Sequence, residues 1–349
     1  MDIADFDYAL PEELVAQVPA QPRDASRLMV LTPGGGLRHA GFADLPGLLE
    51  PGDLLVFNDT RVIPARLLGR KESGGRVELL LCEPLGGGLP GTWRAMGQAS
   101  KPIRPGAVLS FDGLSARVDE ALGEGFYTVT LDRQGEELLS ALSRAGTVPL
   151  PPYIRREATA LDAERYQTIW AREPGSAAAP TAGLHFTERL LGELDRRGIE
   201  RAAVTLHVGP GTFLPVRGDD LDHHRMHAER YRVPPEAAAA FAACRARRGR
   251  VVAVGTTSLR TLESALERGA LRAGEGRTEL FVRPGHAFGA VDALLTNFHL
   301  PRSTLLLLAC AFGGTERVLA AYREAVAHRY RFFSYGDAML LLDPPPGGR

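Results

Sequence analysis

Seven of the nine histidines in this chain fall between His185 and His299. Histidine is the side chain best suited to moving protons near neutral pH, so that interval is the first place to look for catalysis. Two of the seven sit in glycine-bearing motifs, PTAGLHFT (Pro180–Thr187) and TLHVGPGTF (Thr205–Phe213). Glycines there let the backbone approach a ligand closely. A third cluster, HHRMHAERY (His223–Tyr231), follows. His223 and His227 stand at i and i+4, a spacing that permits a metal pair, but the general base and third ligand of an HExxH site are missing. No metal is expected. His227 and Glu229 suit a proton-transfer or hydrogen-bonding pair better, and Arg225, Arg230 and Tyr231 add a cationic, aromatic edge compatible with RNA. A lone strand-end histidine such as His207 is also a common structural residue, so both readings stand for it.

Other stretches carry different chemistry. In VVAVGTTSLRTLESA the buried strand Val251–Val254 breaks at Gly255, and Thr256, Thr257 and Ser258 open a helix that carries Arg260. Free N–H groups and the helix dipole make such a turn an anion site, although plain Thr/Ser capping explains it equally well. The Gly spacing of a P-loop is missing, as is a GxGxxG turn. The chain has only two asparagines, Asn58 in FNDTR and Asn297 in TNFHLP. A chain that otherwise avoids Asn needs its amide at these points, for a site or for a turn. In YRFFSYGD (Tyr330–Asp337) packing of a C-terminal strand is the favoured reading.

These residues need a frame. Asp7–Gln17 reads as an extended segment followed by a short helix, Pro11–Gln17, and Arg27–Leu31 and Leu54–Phe57 as strands. From about Val62 to Val148, short apolar runs alternate with Gly and Pro turns, which predicts a small antiparallel barrel or sandwich. PLPPYIRR (Pro149–Arg156) is a proline-stiffened return, and Asp162–Ala171 a helix with Asp at its start. Strands then alternate with helices to the C-terminus, TELFVRPG among the strands, which argues for an α/β core. The expected division is 1–62 with 149–349 as an α/β catalytic domain and 63–148 as an inserted all-β domain.

A net charge of −1 excludes a strong overall field toward nucleic acid or membrane, but not a local basic face. Three isolated cysteines and no CxxC pair argue against a disulfide framework. The acidic N-terminus is not a signal peptide, and the apolar run Leu305–Phe312 falls far short of the ~20 residues a membrane helix needs. A cytoplasmic protein without membrane contact is expected, and a monomer.

Ten ordered motifs together resemble one family. RDASRLMVL, GDLLVFNDTRVIPARL, PLPPYI, ERYQTIWA, PTAGLHFT, TLHVGPGTF, MHAERY, AVGTTSLRTLES, TNFHLPRSTLLLL and RFFSYGDAMLL are similar, in that order, to the S-adenosylmethionine:tRNA ribosyltransferase-isomerases of queuosine biosynthesis. The match runs from about Asp5 to Leu342; His286 in RPGHAF and the CAFGG segment are small departures. The resemblance implies an α/β catalytic domain with an inserted β domain. It implies transfer of the ribosyl portion of S-adenosylmethionine, a co-substrate rather than a bound prosthetic group. The acceptor would be 7-aminomethyl-7-deazaguanine at the tRNA wobble position, the product epoxyqueuosine-tRNA, and adenine and methionine the leaving products.

That chemistry needs a base beside the sulfonium-activated ribose carbon, an acid for adenine and a neutral amine, hence proton carriers on several sides. The candidates are His185, His207, His227, Glu229 and His299, with no step assigned to any one of them. Asp59 would hold ribose hydroxyls or take the amine proton. Thr257, Ser258 and the helix turn, with Arg260 nearby, would bind the methionine carboxylate. Phe186 or Phe213 would face the sulfonium. Asn58, Arg61, Thr181, Gly183, Gly209, Gly211, Thr212 and Asn297 complete the expected binding set. Two rivals are weaker: an ordinary methyltransferase lacks its glycine-rich opening strand, and a non-catalytic tRNA-binding protein would leave the histidine-rich core idle.

Overall fold

The computed structural model describes residues 1–209, 221, 226 and 228–342. Gly211, Thr212, Phe213 and His227, all expected at the site, lie outside the described residues, as do His223 and Arg225.

A nine-stranded mixed sheet forms the frame. Its centre is four parallel strands in the order Glu200–Leu206, Leu54–Asn58, Val251–Val254, Ala293–Asn297. The last three are buried along their whole length, as parallel strands covered on both faces must be. Alternate side chains feed two cores: Leu54, Val56, Val251 and Ala253 enter one, and Leu55, Phe57, Val252 and Val254 the other. Glu229–Val233 and Gly274–Thr278 extend one edge antiparallel. Ala338–Leu342 runs antiparallel to Ala293–Asn297 on the other side, followed by Arg27–Leu31 and the edge strand Leu37–Gly41. Because the central strands run the same way, Leu206, Asn58, Val254 and Asn297 all end on one edge, where ligands of open α/β sheets bind.

The β texture closes into a barrel rather than a sandwich. Six strands, Arg66–Lys71, Arg76–Pro84, Thr92–Ala99, Phe126–Leu131, Leu114–Gly123 and Val108–Phe111, pair in that order, and the last pairs back with the first. Gly69 permits the closure: a Cβ there would lie 2.2 Å from the Ser110 carbonyl oxygen. Leu67, Leu79, Trp93, Leu109 and Val129 fill the interior with Leu138 and Leu142 from the helix Gly135–Ala145. Gly146–Thr147 pairs on the outside of Arg66–Lys71.

Several local expectations change. Pro11–Gln17 contains only the single turn Glu12–Leu14. The helix expected over Asp162–Ala171 is Ala160–Arg165: Thr159 is its N-cap, and Asp162 closes the capping box three residues in. Asp162 also takes a two-pronged hydrogen bond from Arg156 at 2.6 and 2.7 Å. Burial alone would raise its carboxyl; Arg156, Thr159 and Tyr335 outweigh that and hold it far below the usual carboxylate range. The strand near TELFVRPG is Gly274–Thr278 and stops before most of that motif. In YRFFSYGD the strand begins only at Ala338, so Phe333 and Ser334 sit on the turn before it.

Candidate active site

A cleft opens at the carboxyl edge of the central strands. Ala178–Ala182, Val208, Gly255–Thr257, Thr296–Leu300, Tyr153, Phe333 and Ser334 line it, with Ser303 and Leu305 at its margin. Gly255 makes the sharp exit from its strand: its φ of +91° with ψ of 155° suits only glycine. Its N–H bonds the Leu295 carbonyl at 2.8 Å. Helix Thr256–Ala265 then starts without a side-chain cap, so the N–H groups of Thr256, Thr257 and Ser258 have no partner among the described residues. Thr257 is 8% exposed, yet its Oγ1 makes no hydrogen bond. Buried polar atoms are normally satisfied, so a donor-rich helix terminus ending on an orphan hydroxyl fits an anionic ligand.

Asn297 supplies the opposite polarity. Its Nδ2 donates to the Phe333 carbonyl at 3.0 Å and faces His185 Nε2 at 3.2 Å. Its Oδ1 is buried and unpartnered. Phe333 is held at φ +70°, a costly conformation for an aromatic residue, and that turn aims its carbonyl at Asn297. His299 lines the same cleft with Nε2 2.9 Å from Thr296 Oγ1, and burial pushes its imidazole down to about 3. It is neutral at pH 7.

His185 is beside the cleft, not in it. Ser26 Oγ lies 2.7 Å from Nδ1, Asn297 occupies Nε2, and the ring stacks on Phe42. Burial holds it at about 4, and neither nitrogen is free. Asn58 is similarly committed: Nδ2 donates to the Leu206 carbonyl, and Oδ1 accepts from the N–H groups of Leu206 and Thr60. Its amide acts as an extra peptide group splicing two strand ends.

The cleft therefore gathers Thr181, Thr257, Asn297 and His299 from the expected set. Other expected residues are placed elsewhere among the described residues. Phe186 is fully buried, packed edge-on against Phe57 and Trp170. Gly183 is a packing glycine, because a Cβ would meet Thr168 and Trp170 at 2.7 and 2.8 Å. Ser258 Oγ bonds back to the Val254 carbonyl. Arg260 pairs with Glu229 and the Leu280 carbonyl, and the other Glu229 oxygen accepts from Gly209 N–H. Arg61 is exposed on Thr60–Val62.

His207 and Val208 are neighbours on opposite sides of one chain segment. Val208 lines the cleft, while His207 lines a separate groove with Glu173, Thr205, Arg230, Tyr231 and barrel residues Gly88 and Glu136. His207 Nδ1 bonds Thr60 Oγ1 at 2.8 Å, and burial, with Arg230 nearby, lowers it to about 4. Asp59 sits behind that groove, accepting from Thr205 Oγ1 and paired with Arg172. Among the described residues the expected set thus divides between two concavities, with Thr257, Asn297 and His299 in the cleft and His207 in the groove. Sequence reading missed Tyr153, Thr296, Phe333 and Ser334. PLPPYI carried Tyr153 within a motif, but nothing in the sequence marked Phe333 as a strained turn.

Residues 3–341 match the family described as Queuosine biosynthesis protein. S-adenosylmethionine:tRNA ribosyltransferase-isomerase of Anaeromyxobacter dehalogenans is 77% identical, over 98% of this chain and 99% of that protein. The protein of the same name from Geobacter sulfurreducens is 54% identical, over 98% and 100%. The crystal structure of S-adenosylmethionine tRNA ribosyltransferase from Thermotoga maritima shares 39% identity and a TM-score of 0.57, over 97% of this chain and all of that one. The chain belongs to the queuosine biosynthesis protein family.

Proposed function

We propose that this protein is an S-adenosylmethionine:tRNA ribosyltransferase-isomerase. It moves the ribosyl moiety of S-adenosylmethionine onto 7-aminomethyl-7-deazaguanine at the tRNA wobble position, giving epoxyqueuosine-tRNA and releasing adenine and methionine. The observation that carries this reading is the near-full-length identity to proteins of that name, with a cleft of matching polarity at the carboxyl edge of the sheet. The helix terminus Thr256–Ser258 with Thr257 Oγ1 receives the methionine carboxylate. His299 is the histidine of the cleft itself; His207 faces the groove toward the barrel, with Asp59 behind it, and these two serve the RNA side. The wobble base leaves its stack to reach the cleft.

No single described helix is long and apolar enough to cross a membrane. The protein works in the cytoplasm as a monomer, and 63–148 folds as an inserted domain that orients RNA.

The test incubates the protein with S-adenosylmethionine and tRNA carrying the aminomethyl-deazaguanine. Adenine and methionine release with a matching mass gain on the tRNA is expected. S-adenosylhomocysteine as the product would make it a methyltransferase, and binding without turnover would make it an RNA-binding protein.

A further inference from the structure

The orientation of the Asn297 amide is dictated by groups that can only accept. Ser26 Oγ lies 2.7 Å from His185 Nδ1 and 3.4 Å from the Arg23 carbonyl, so it can accept from Nδ1–H and donate onward. His185 Nε2 then carries no proton and accepts from Asn297 Nδ2. The second Asn297 N–H points at the Phe333 carbonyl. The Phe333 carbonyl fixes the direction of these bonds: Nδ2 must face it, and the amide cannot flip without setting its oxygen against that carbonyl. One atom remains: Oδ1, buried and without a partner among the described residues, on a side chain 2% exposed that belongs to the cleft lining.

Its position narrows what it binds. Asn297 ends the strand hydrogen-bonded beside Val251–Val254, so it lies next to Gly255 and the uncapped helix terminus. A fixed acceptor thus adjoins a cluster of donors. An α-amino acid group presents that pattern, a carboxylate and an ammonium on one carbon. No carboxylate side chain lines the cleft among the described residues, so a bare cation would lack compensation there, whereas a zwitterion carries its own.

We infer that Asn297 Oδ1 receives the α-ammonium of the co-substrate's amino-acid end, and that Ser26 and His185 are positioning residues that present it. This rests on the proposed use of S-adenosylmethionine. It gives His185 a role without proton transfer, acting through Asn297.

The experiment compares, by calorimetry, binding of S-adenosylmethionine and of its analogue lacking the α-amino group. Wild type should prefer S-adenosylmethionine by roughly tenfold or more, the scale of a charge-assisted hydrogen bond. Asn297→Ser should reduce that preference to within about twofold, since its short side chain cannot reach. His185→Leu should also reduce it, since the second Nδ2 N–H loses its acceptor and the amide is held by the Phe333 carbonyl alone, while His185→Gln, whose carbonyl can accept from Nδ2, should restore most of it. Equal wild-type affinity for both ligands would overturn the inference even if no variant folds. So would an unchanged preference in Asn297→Ser. Failure of wild type to bind S-adenosylmethionine at all would overturn the functional reading itself, and the inference with it.

Discussion

His185, one of the expected proton carriers, has both nitrogens committed, whereas Thr257, which looked like a helix cap, lines the cleft with its hydroxyl unpartnered among the described residues. Thr257→Val should weaken S-adenosylmethionine binding roughly tenfold with little change in melting temperature, as loss of a ligand hydrogen bond does. A large drop in melting temperature with unchanged affinity would make the hydroxyl structural. Glu229 is a similar choice. Its pair with Arg260 is buried, the two side chains 8% and 3% exposed. Glu229→Gln should therefore cost about 3–5 kcal/mol of stability by leaving a buried charge uncompensated. A proton carrier would instead lose turnover at unchanged stability. The histidines also set an acid limit. Burial holds His185, His207 and His299 at about 4, 4 and 3, below the ordinary 6.5. The unfolded chain takes up protons first, so their contribution to stability is full above pH 6.5 and is lost as pH falls toward about 4. Urea midpoints at pH 7.5 and 5 should show it, and His185→Gln should shrink the difference.

At the scale of elements, pattern and outcome agree where local sequence decides. The apolar runs Leu54–Phe57 and Val251–Val254 predict buried strands and form them; the Gly–Thr–Thr–Ser turn predicts a helix start and makes one. The misses are long-range. Asn58 is needed to splice Leu206 to its own strand, a partner 148 residues away. His207 and Val208 part company because consecutive strand residues face opposite sides, a certainty of geometry that becomes informative only once the two concavities are known. Phe333 owes its left-handed turn to Phe298 and Asn297, which sequence proximity does not reveal. Gly255→Ala tests the strand-to-helix break: forcing a Cβ into φ +91° should cost about 1–3 kcal/mol and weaken co-substrate binding as the helix terminus shifts. Thermal unfolding and calorimetry on the same variant read both; an unperturbed variant would show that the exit needs no glycine.

At the scale of the molecule, the change in texture at Val62 and Val148 announced a β insert, and the barrel strands run from Arg66 to Phe126–Leu131 within it. The β-rich composition did not choose between barrel and sandwich, because the choice rests on one pairing, Arg70 with Ser110, made possible by Gly69. Contacts from the barrel to the sheet include polar ones, Arg277 with Glu83 at 2.6 Å and Arg230 with the Gly86 carbonyl. Polar interfaces of this kind permit relative motion, which would let the groove holding His207 adapt to an RNA loop. The proposed function puts co-substrate chemistry in the cleft between Gly255–Thr257 and Asn297–His299. A crystal structure with a non-reactive S-adenosylmethionine analogue tests it most directly. The analogue's carboxylate is expected against the N–H groups of Thr256–Ser258 and its ammonium on Asn297 Oδ1. A ligand seated instead in the groove of His207, Arg230 and Glu275, with the cleft empty, would contradict it.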